Sequence, residues 1–269
     1  MVIEHAPRTL TPAMYRQVFI EKLLSIGGDM RALWIPNAGD TTTTADETRH
    51  GQTWTYEDTG LGDFDSSPSR IGNGIEVVFN GTSEEADTGD NARYTFGDGA
   101  VDQAFSVFAV VRVTAGAGYQ MILAKLDATT GSTEGEWAFG IDSSERPQLS
   151  SYDDSASLGR IGRRDATALT TNTRYFLAGT YDGSGLALGV RVYVNAVRVD
   201  DTDNSSGSYT AMEDKGGAVM LAHSITSEGV AGNFWTGRIA LAGLCAKELN
   251  VHEIWQMKEA INSHYDLSL

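Results

Sequence analysis

The feature that most constrains the fold is a long succession of short alternating segments, each followed by turn residues such as Gly, Asn, Asp or Ser. The clearest segment is AFSVFAVVRV at residues 104–113, in which every odd-numbered position from Phe105 to Val113 is apolar. Its other face is half apolar, so we expect a strand that is covered on both sides. Strands that recur at roughly ten-residue spacing predict an antiparallel β-sandwich or jelly roll.

One pair of segments predicts its own register. A two-residue turn at residues 195–196 pairs Val194 with Val197 and Val192 with Val199. All four side chains then lie on one face of the hairpin, as a half-buried ribbon requires. The pattern therefore predicts a hairpin at this point of the chain.

In their order, the segments resemble the laminin G-like, concanavalin A-like jelly rolls. The resemblance covers about residues 34–265. It rests on VVFNGT at 77–82, FSVFAVVRV at 105–113, MILAKLD at 121–127, EWAFGID at 136–142, RYFLAGTYDG at 174–183, VRVYVNAVRV at 190–199 and FWTGRIALAGLCAKELNVHEI at 234–254. It implies an all-β, two-sheet antiparallel sandwich. The family usually has Asn-Gly in the hairpin, and Ala196 in its place favours a different turn type.

The N-terminal residues 1–33 have no counterpart in this resemblance, so we predict an arm and helix that form a docking extension of a jelly-roll domain at 34–269. Thr11-Pro12 is typical of a helix start and Gly27-Gly28 of a helix end, which predicts a helix at about 12–26. The alternative is a helix packed on its own domain behind a loose tail. Candidate partner-docking residues on this helix are Met14, Tyr15, Val18 and Phe19.

The last strand runs directly into a predicted short helix at residues 250–264. Asn250 and Glu253 have the spacing of a capping box, and apolar residues follow at helical intervals. We expect Trp255 to bury its ring against the edge of the sandwich.

Charge and composition exclude several classes of partner. The formal charge of -16 and a pI near 4.6 would repel nucleic acid, and no stretch is apolar enough to cross a membrane. The start, MVIEHAPRTL, has no basic and apolar signal pattern, so no ordinary secretory signal is expected. Cys245 is the only cysteine, which excludes an intrachain disulfide and a cysteine-based metal site.

No catalytic motif is recognisable. Glycoside hydrolases that resemble this fold carry E-x-D-x-x-E on a strand, and the nearest match here is Glu85 to Asp90. That stretch ends in Asp and contains Gly, so we expect a solvated acidic loop. The sequence also has no H-E-x-x-H and no G-x-S-x-G. A non-enzymatic protein is the prediction.

Two kinds of ligand remain open besides the default of no cofactor. Calcium binds loop carboxylates in some proteins of this type, and exposed aromatic side chains hold sugars in lectin-like sandwiches. The calcium candidates are Asp87, Asp90, Asp153 and Asp154. The candidates for a glycan platform are Trp54, Tyr56 and Tyr152, with Tyr209 and Trp235 as further aromatic residues, although most aromatic residues in a sandwich belong to its core.

Three functions follow as hypotheses. Because similar domains recur in virion proteins of tailed bacteriophages, the resemblance implies a structural, capsid-decorating or tail-associated virion protein. It would contact the major capsid protein or a tail component and self-associate. The second hypothesis is an extracellular carbohydrate-binding module for host-surface recognition, and the third is a glycan-cleaving enzyme.

Overall fold

The computed structural model describes residues 11–37, 42–58, 69–114, 118–127, 134–155, 159–226 and 230–269. The arm predicted for residues 1–10 lies outside them. In the described ranges two sheets pack face to face and two helices cover one of them. The helices are α1 (Pro12–Gly27) and α2 (Val251–Tyr265). Neither of these described helices has the length and apolar character needed to span a bilayer.

The described strands form two large antiparallel sheets and one small hairpin. Sheet A contains β1 (Met30–Trp34), β4 (Ser69–Ile71), β5 (Gly74–Asn80), β7 (Phe105–Val113), β12 (Arg174–Tyr181), β13 (Val190–Val194), β14 (Val197–Arg198) and β19 (Thr236–Cys245). Sheet B contains β2 (Thr43–Ala45), β3 (Thr53–Asp58), β6 (Glu84–Thr88), β8 (Gln120–Asp127), β9 (Glu134–Ile141), β10 (Pro147–Asp153), β11 (Gly159–Arg164), β15 (Thr202–Asp203) and β16 (Val219–Leu221). The hairpin pairs β17 (Ser224–Ile225) with β18 (Ala231–Gly232).

The strand order brings distant segments together. Sheet A runs β14-β13-β12-β7-β19-β5-β4, and β1 also pairs with β19. Sheet B runs β15-β11-β10-β9-β8-β16-β6-β3-β2. The two-sheet antiparallel jelly roll expected from the sequence is therefore confirmed, with β7 and β19 at the centre of sheet A.

Alternation along β7 explains why sheet A needs a cover. Phe105 and Val107 point into the core between the sheets, and Phe108 and Val110 point to the opposite face. Sheet A consequently has two apolar faces. Because bare apolar sheet surface is costly in water, the outer face is covered by the two helices.

Helix α1 forms part of that cover. Thr11 caps it, with its Oγ1 accepting from the Met14 amide at 3.3 Å, and Gly28 ends it with a φ of 68°. The predicted helix is confirmed, and its Phe19 and Leu23 are buried among the residues of sheet A and α2. The boundary expected between residues 33 and 34 falls inside β1.

Helix α2 has the predicted capping box. The Asn250 side chain accepts from the amide of Glu253, whose carboxylate accepts from the amide of Asn250 at 2.9 Å. The buried face of the helix includes Ile254, Met257 and Ile261. The expectation for Trp255 was wrong: it lies beside that face, is 49% exposed and stacks on His252.

The hairpin register is confirmed, but the expected change of turn type is not. Val194 pairs with Val197, and the Val199 amide donates to the Val192 carbonyl at 2.8 Å. Asn195 and Ala196 have φ values of 51° and 65°, the positive pair that a type I′ turn requires. Tertiary contact supports this strained turn, since residue 195 exchanges hydrogen bonds with Phe176 on β12.

Candidate functional site

A cluster of carboxylates lies on the outer face of sheet B, where β3 and β6 pair. Ala86 points into the core, so strand alternation places Glu85 and Asp87 on the opposite face. Glu57 on β3 lies directly opposite Glu85. Three like charges thus meet on one surface, which is unfavourable unless one of them is protonated.

The environment of Glu85 favours its protonated form. Burial raises the pKa of Glu85 to about 7, and the charges of Glu57 and Asp87 add to this shift. The Nε2 atom of His223 lies 3.4 Å from Glu85 Oε2. Burial lowers the pKa of His223 to about 4. Between these two values both groups are neutral, so their contact is not an ion pair in that range.

The acidic stretch at 85–90, which holds two of these carboxylates, was expected to be a solvated loop, and that expectation was wrong for its strand part. Residues Glu84–Thr88 form an internal strand of sheet B, and Glu85 is 5% exposed. Pairing with β3 and β16 places the carboxylates in a sheet despite their low strand propensity. Asp90, the last residue of the E-x-D-x-x-E match, instead contacts Lys125.

The four calcium candidates lie in two separate places. Asp87 and Asp153 belong to strands β6 and β10, which are four strand spacings apart, or roughly 19 Å. Asp153 accepts from the amides of Ser155 and Thr210, at 2.9 and 2.6 Å. Asp154 accepts from the amide of Gly135. Among the described residues no group of three or more His, Cys, Asp or Glu side chains could hold a metal.

The expected glycan platform does not form. Trp54 and Tyr56 point into the core between the sheets and are 0% and 6% exposed, so they cannot stack on a sugar. Trp235 is fully buried as well. Tyr152 and Tyr209 are partly buried. The alternation of β3 explains the first two positions, because its even-numbered residues face inward.

The docking candidates on α1 divide into two groups. Met14, Tyr15 and Val18 are 45%, 43% and 58% exposed. Phe19 is 5% exposed and stacks on His264, so it is unavailable to a partner. We call Met14, Tyr15 and Val18 the exposed face of α1.

A second polar feature lies on sheet A and was not predicted from the sequence. Arg112 on β7 pairs directly with Arg238 on β19 and with Arg174 on β12. Three arginines therefore stand side by side on the face that the helices cover elsewhere. Like charges in such register are destabilising unless counter-charges compensate them.

Glu76 compensates two of these arginines. It is 2% exposed and accepts from Arg174 at 2.9 and 2.8 Å, while Arg238 lies 3.4 Å away. Burial raises the pKa of Glu76, but the hydrogen bonds and charge of Arg174 outweigh burial and lower it overall. Glu76 is therefore ionised at neutral pH.

Arg112 has no carboxylate within 4.0 Å in the described part of the chain. Its Nε and Nη2 atoms donate to the main-chain and side-chain oxygens of Asn172, at 3.2 and 3.3 Å. It lines an open groove of about 360 Å³. The polar residues of this arginine groove are Asn80, Arg112, Thr114, Asn172, Thr236 and Arg238.

The arginine groove has the chemistry of an anion site. Guanidinium groups bind carboxylates through two parallel hydrogen bonds, and amide and hydroxyl side chains bind sugar hydroxyls. The sequence has no basic cluster that would have indicated it. The arginines come together only because β7, β12 and β19, which are distant in the chain, are neighbours in the sheet.

Two antiparallel sheets packed face to face are the architecture of the concanavalin A-like jelly rolls. The laminin G family model, described as the concanavalin A-like lectin/glucanases superfamily, matches residues 87–255. That is more than half of the chain, and the chain belongs to this superfamily. No curated protein matches it by sequence.

Solved structures support the same fold at low identity. A structure from botulinum neurotoxin type C, whose cell entry depends on interaction with two ganglioside molecules, is 12% identical with a TM-score of 0.58. The match covers 89% of this chain and 53% of that one. The binding domain of Paraclostridial Mosquitocidal Protein 1 is 11% identical with a TM-score of 0.59, covering 88% and 53%. The chain thus spans about half the length of these two neighbouring chains.

A third structure is covered almost completely. Domain 4 of AbnA, an extracellular arabinanase from Geobacillus stearothermophilus in complex with arabinotriose, is 15% identical with a TM-score of 0.57. The match covers 86% of this chain and 98% of that domain. The neighbours of this concanavalin A-like fold therefore include carbohydrate-binding domains.

Proposed function

We propose that this chain is a non-enzymatic recognition module that binds an acidic glycan in the arginine groove. The observation that carries the proposal is the row of three arginines in register, of which Arg112 has no carboxylate partner among the described residues. In a chain with a formal charge of -16, such a local excess of positive charge is selective for an anionic group. A sugar carboxylate would supply the counter-charge that Arg112 lacks.

The neighbouring structures support glycan binding as a class of function. One belongs to a toxin whose entry depends on gangliosides, and another was solved with arabinotriose. The proposed site uses side chains alone and needs no calcium. On this proposal the chain works outside the cell or on the surface of a particle.

Replacing Arg112 with Gln is expected to weaken binding of an acidic oligosaccharide roughly 10- to 100-fold, because one charge-assisted contact is lost. Titration calorimetry would measure this with a uronic-acid or sialylated oligosaccharide selected on a glycan array. Arg49→Gln is the matched control, since Arg49 has the same charge, its side chain is 76% exposed, and it does not line the groove. Equal affinity of Arg112→Gln and wild type would refute the groove as the site, and loss of binding in a chelator would refute its independence from calcium.

Glycan cleavage is the competing enzymatic hypothesis. Among the described residues, the carboxylates on the outer face of sheet B are the candidates that support it. Glu85 on β6 and Glu57 on β3 lie directly opposite each other on paired strands, as a general acid and its partner carboxylate would. The proposal expects no release of reducing sugar from the oligosaccharide that binds. Release that is abolished in Glu85→Gln would overturn it.

A second candidate function is a structural virion protein of a bacteriophage, a capsid decoration or tail-associated component. The exposed face of α1 favours it, because three apolar side chains in solvent form a small docking patch. The partners would be the major capsid protein, a tail component or a second copy of the chain. An acidic surface suits the outside of a capsid, away from its DNA.

Under this second candidate, the wild-type chain is expected to sediment as an oligomer at physiological ionic strength, and Val18→Asp as a monomer. A charge placed on the apolar patch would have to be buried on association. Analytical ultracentrifugation measures both. Gln17→Asp, on the same helix and outside the patch, should sediment like the wild type; a monomeric wild-type chain would argue against self-association through α1.

A further inference from the structure

Lys125 lies in a place where a lysine is rarely found. It belongs to β8 and pairs with Trp137 on β9, whose ring is in the core between the sheets. Its side chain is 0% exposed. A buried ammonium loses its hydration, so it persists only where compensating groups surround it.

A β-bulge brings one such group to the amine. Leu126 pairs with Gly135 and Lys125 pairs with Trp137, so Glu136 is the extra residue of β9. Its Oε1 atom accepts from Lys125 Nζ at 2.6 Å. The Glu136 side chain is also 0% exposed.

A second carboxylate reaches the same amine from the rim of the sandwich. Asp90 follows β6, and its Oδ1 atom lies 3.1 Å from Lys125 Nζ. The chain next to Asp90 is anchored, because Asn91 caps a 3₁₀ turn at Ala92–Tyr94 whose last carbonyl accepts from Trp137 Nε1 at 3.0 Å. The amine and the Asp90 carboxyl are therefore held side by side, and such proximity accelerates reaction between two groups.

Glu136 is suited to moving protons between them. Burial raises the pKa of Glu136 to about 7, although the positive charge of Lys125 acts to lower it. A carboxyl group with such a pKa takes up and releases a proton readily near neutral pH. The backbone of Lys215 holds Glu136 in place, its amide donating to Oε1 at 3.0 Å.

We propose that Lys125 and Asp90 join through an intramolecular amide bond whose formation Glu136 assists. Glu136 takes a proton from the ammonium and passes it to the Asp90 carboxyl group. The neutral Nζ attacks Asp90 Cγ, forming the C–N bond. One C–O bond breaks, and the oxygen leaves as water with two protons that came from the amine, so no oxidant or cofactor is needed.

Burial favours the product. The Lys125 ammonium lies in a buried, low-dielectric site, whereas the amide is neutral and keeps one donor and one acceptor. The Asp90 side chain is 44% exposed, which leaves the released water a direct route to solvent. The bond would tie the segment after β6 to the centre of sheet B.

Intact mass spectrometry of the denatured full chain tests the proposal directly. The expected mass is lower than that of the sequence by one water. Tryptic digestion is expected to leave the bond after Lys125 uncut and to yield a branched peptide containing Asp90 and Lys125. The full sequence mass together with linear peptides from both segments would overturn the proposal.

Three variants test which residues cause the loss of water. Lys125→Met and Asp90→Ala should have their full masses; a loss that persists in Lys125→Met would come from another reaction, such as cyclisation at Asp98-Gly99, and would refute the cross-link. Glu136→Gln, which is isosteric, should also keep its full mass while retaining the near-ultraviolet circular dichroism of the fold. A cross-linked Glu136→Gln would remove Glu136 from the mechanism.

Discussion

Phe19→Ala is expected to lower the free energy of unfolding by about 3 kcal/mol, the usual cost of removing a buried aromatic side chain. Phe19 is 5% exposed, stacks on His264 with ring centroids 4.0 Å apart, and meets the edge of Tyr265 at 5.7 Å. Removing the ring leaves a cavity between α1 and α2. Urea denaturation followed by circular dichroism measures the loss.

The neighbouring residue is a matched control for this variant. Val18 is 58% exposed on the same turn of α1, so Val18→Ala is expected to change stability by less than about 0.5 kcal/mol. A loss at Phe19 no larger than this small effect at Val18 would mean that α1 does not pack on the sandwich. The pair of variants therefore separates a helix that belongs to the core from a detached docking extension.

Glu76→Ala is expected to cost about 2–3 kcal/mol at neutral pH. The variant leaves the guanidinium of Arg174, which Glu76 holds through two hydrogen bonds, without its counter-charge beside Arg112 and Arg238. Chemical denaturation again provides the measurement. Glu259→Ala is the control, since its side chain is 44% exposed and its contact with Lys258 is 3.4 Å long, and about 0.5 kcal/mol or less is expected there.

The stabilisation by Glu76 is also expected to depend on pH. The folded protein lowers the pKa of Glu76 below its ordinary value of 4.5, so the unfolded chain binds the proton more tightly. The stabilisation is complete above that ordinary value and is lost as the pH falls through the lowered folded value. The difference between wild type and Glu76→Ala should therefore shrink in acid; a difference that grows in acid would contradict the ion pair.

Local features of the fold could be predicted from the sequence. The caps at Thr11 and Asn250 and the register around residues 195–196 depend on residues only a few positions apart, whose geometry is nearly independent of the rest of the chain. The inward face of β7 followed from its alternation. These elements, in their order, were sufficient to indicate the sandwich.

The errors have a common physical cause. Glu84–Thr88 has the composition of a loop but forms a strand because β3 and β16 offer it hydrogen bonds on both edges. Trp54 was a candidate for stacking on a sugar but belongs to the core, because the packing of sheet B on sheet A decides which face of β3 is buried. In the first case strand pairing outweighed local propensity, and in the second the packing of the two sheets decided which face is buried.

The sequence by itself determined the architecture, because hydrophobic period, turn residues and helix caps act over a few residues and are written along the chain. Only the tertiary structure decided the chemistry. The row of Arg112, Arg174 and Arg238 joins three strands, and the contact of Lys125 with Asp90 and Glu136 joins two strands and the segment after β6. Their proximity depends on strand order and on a β-bulge, which are properties of the folded sheets and have no local signal in the chain.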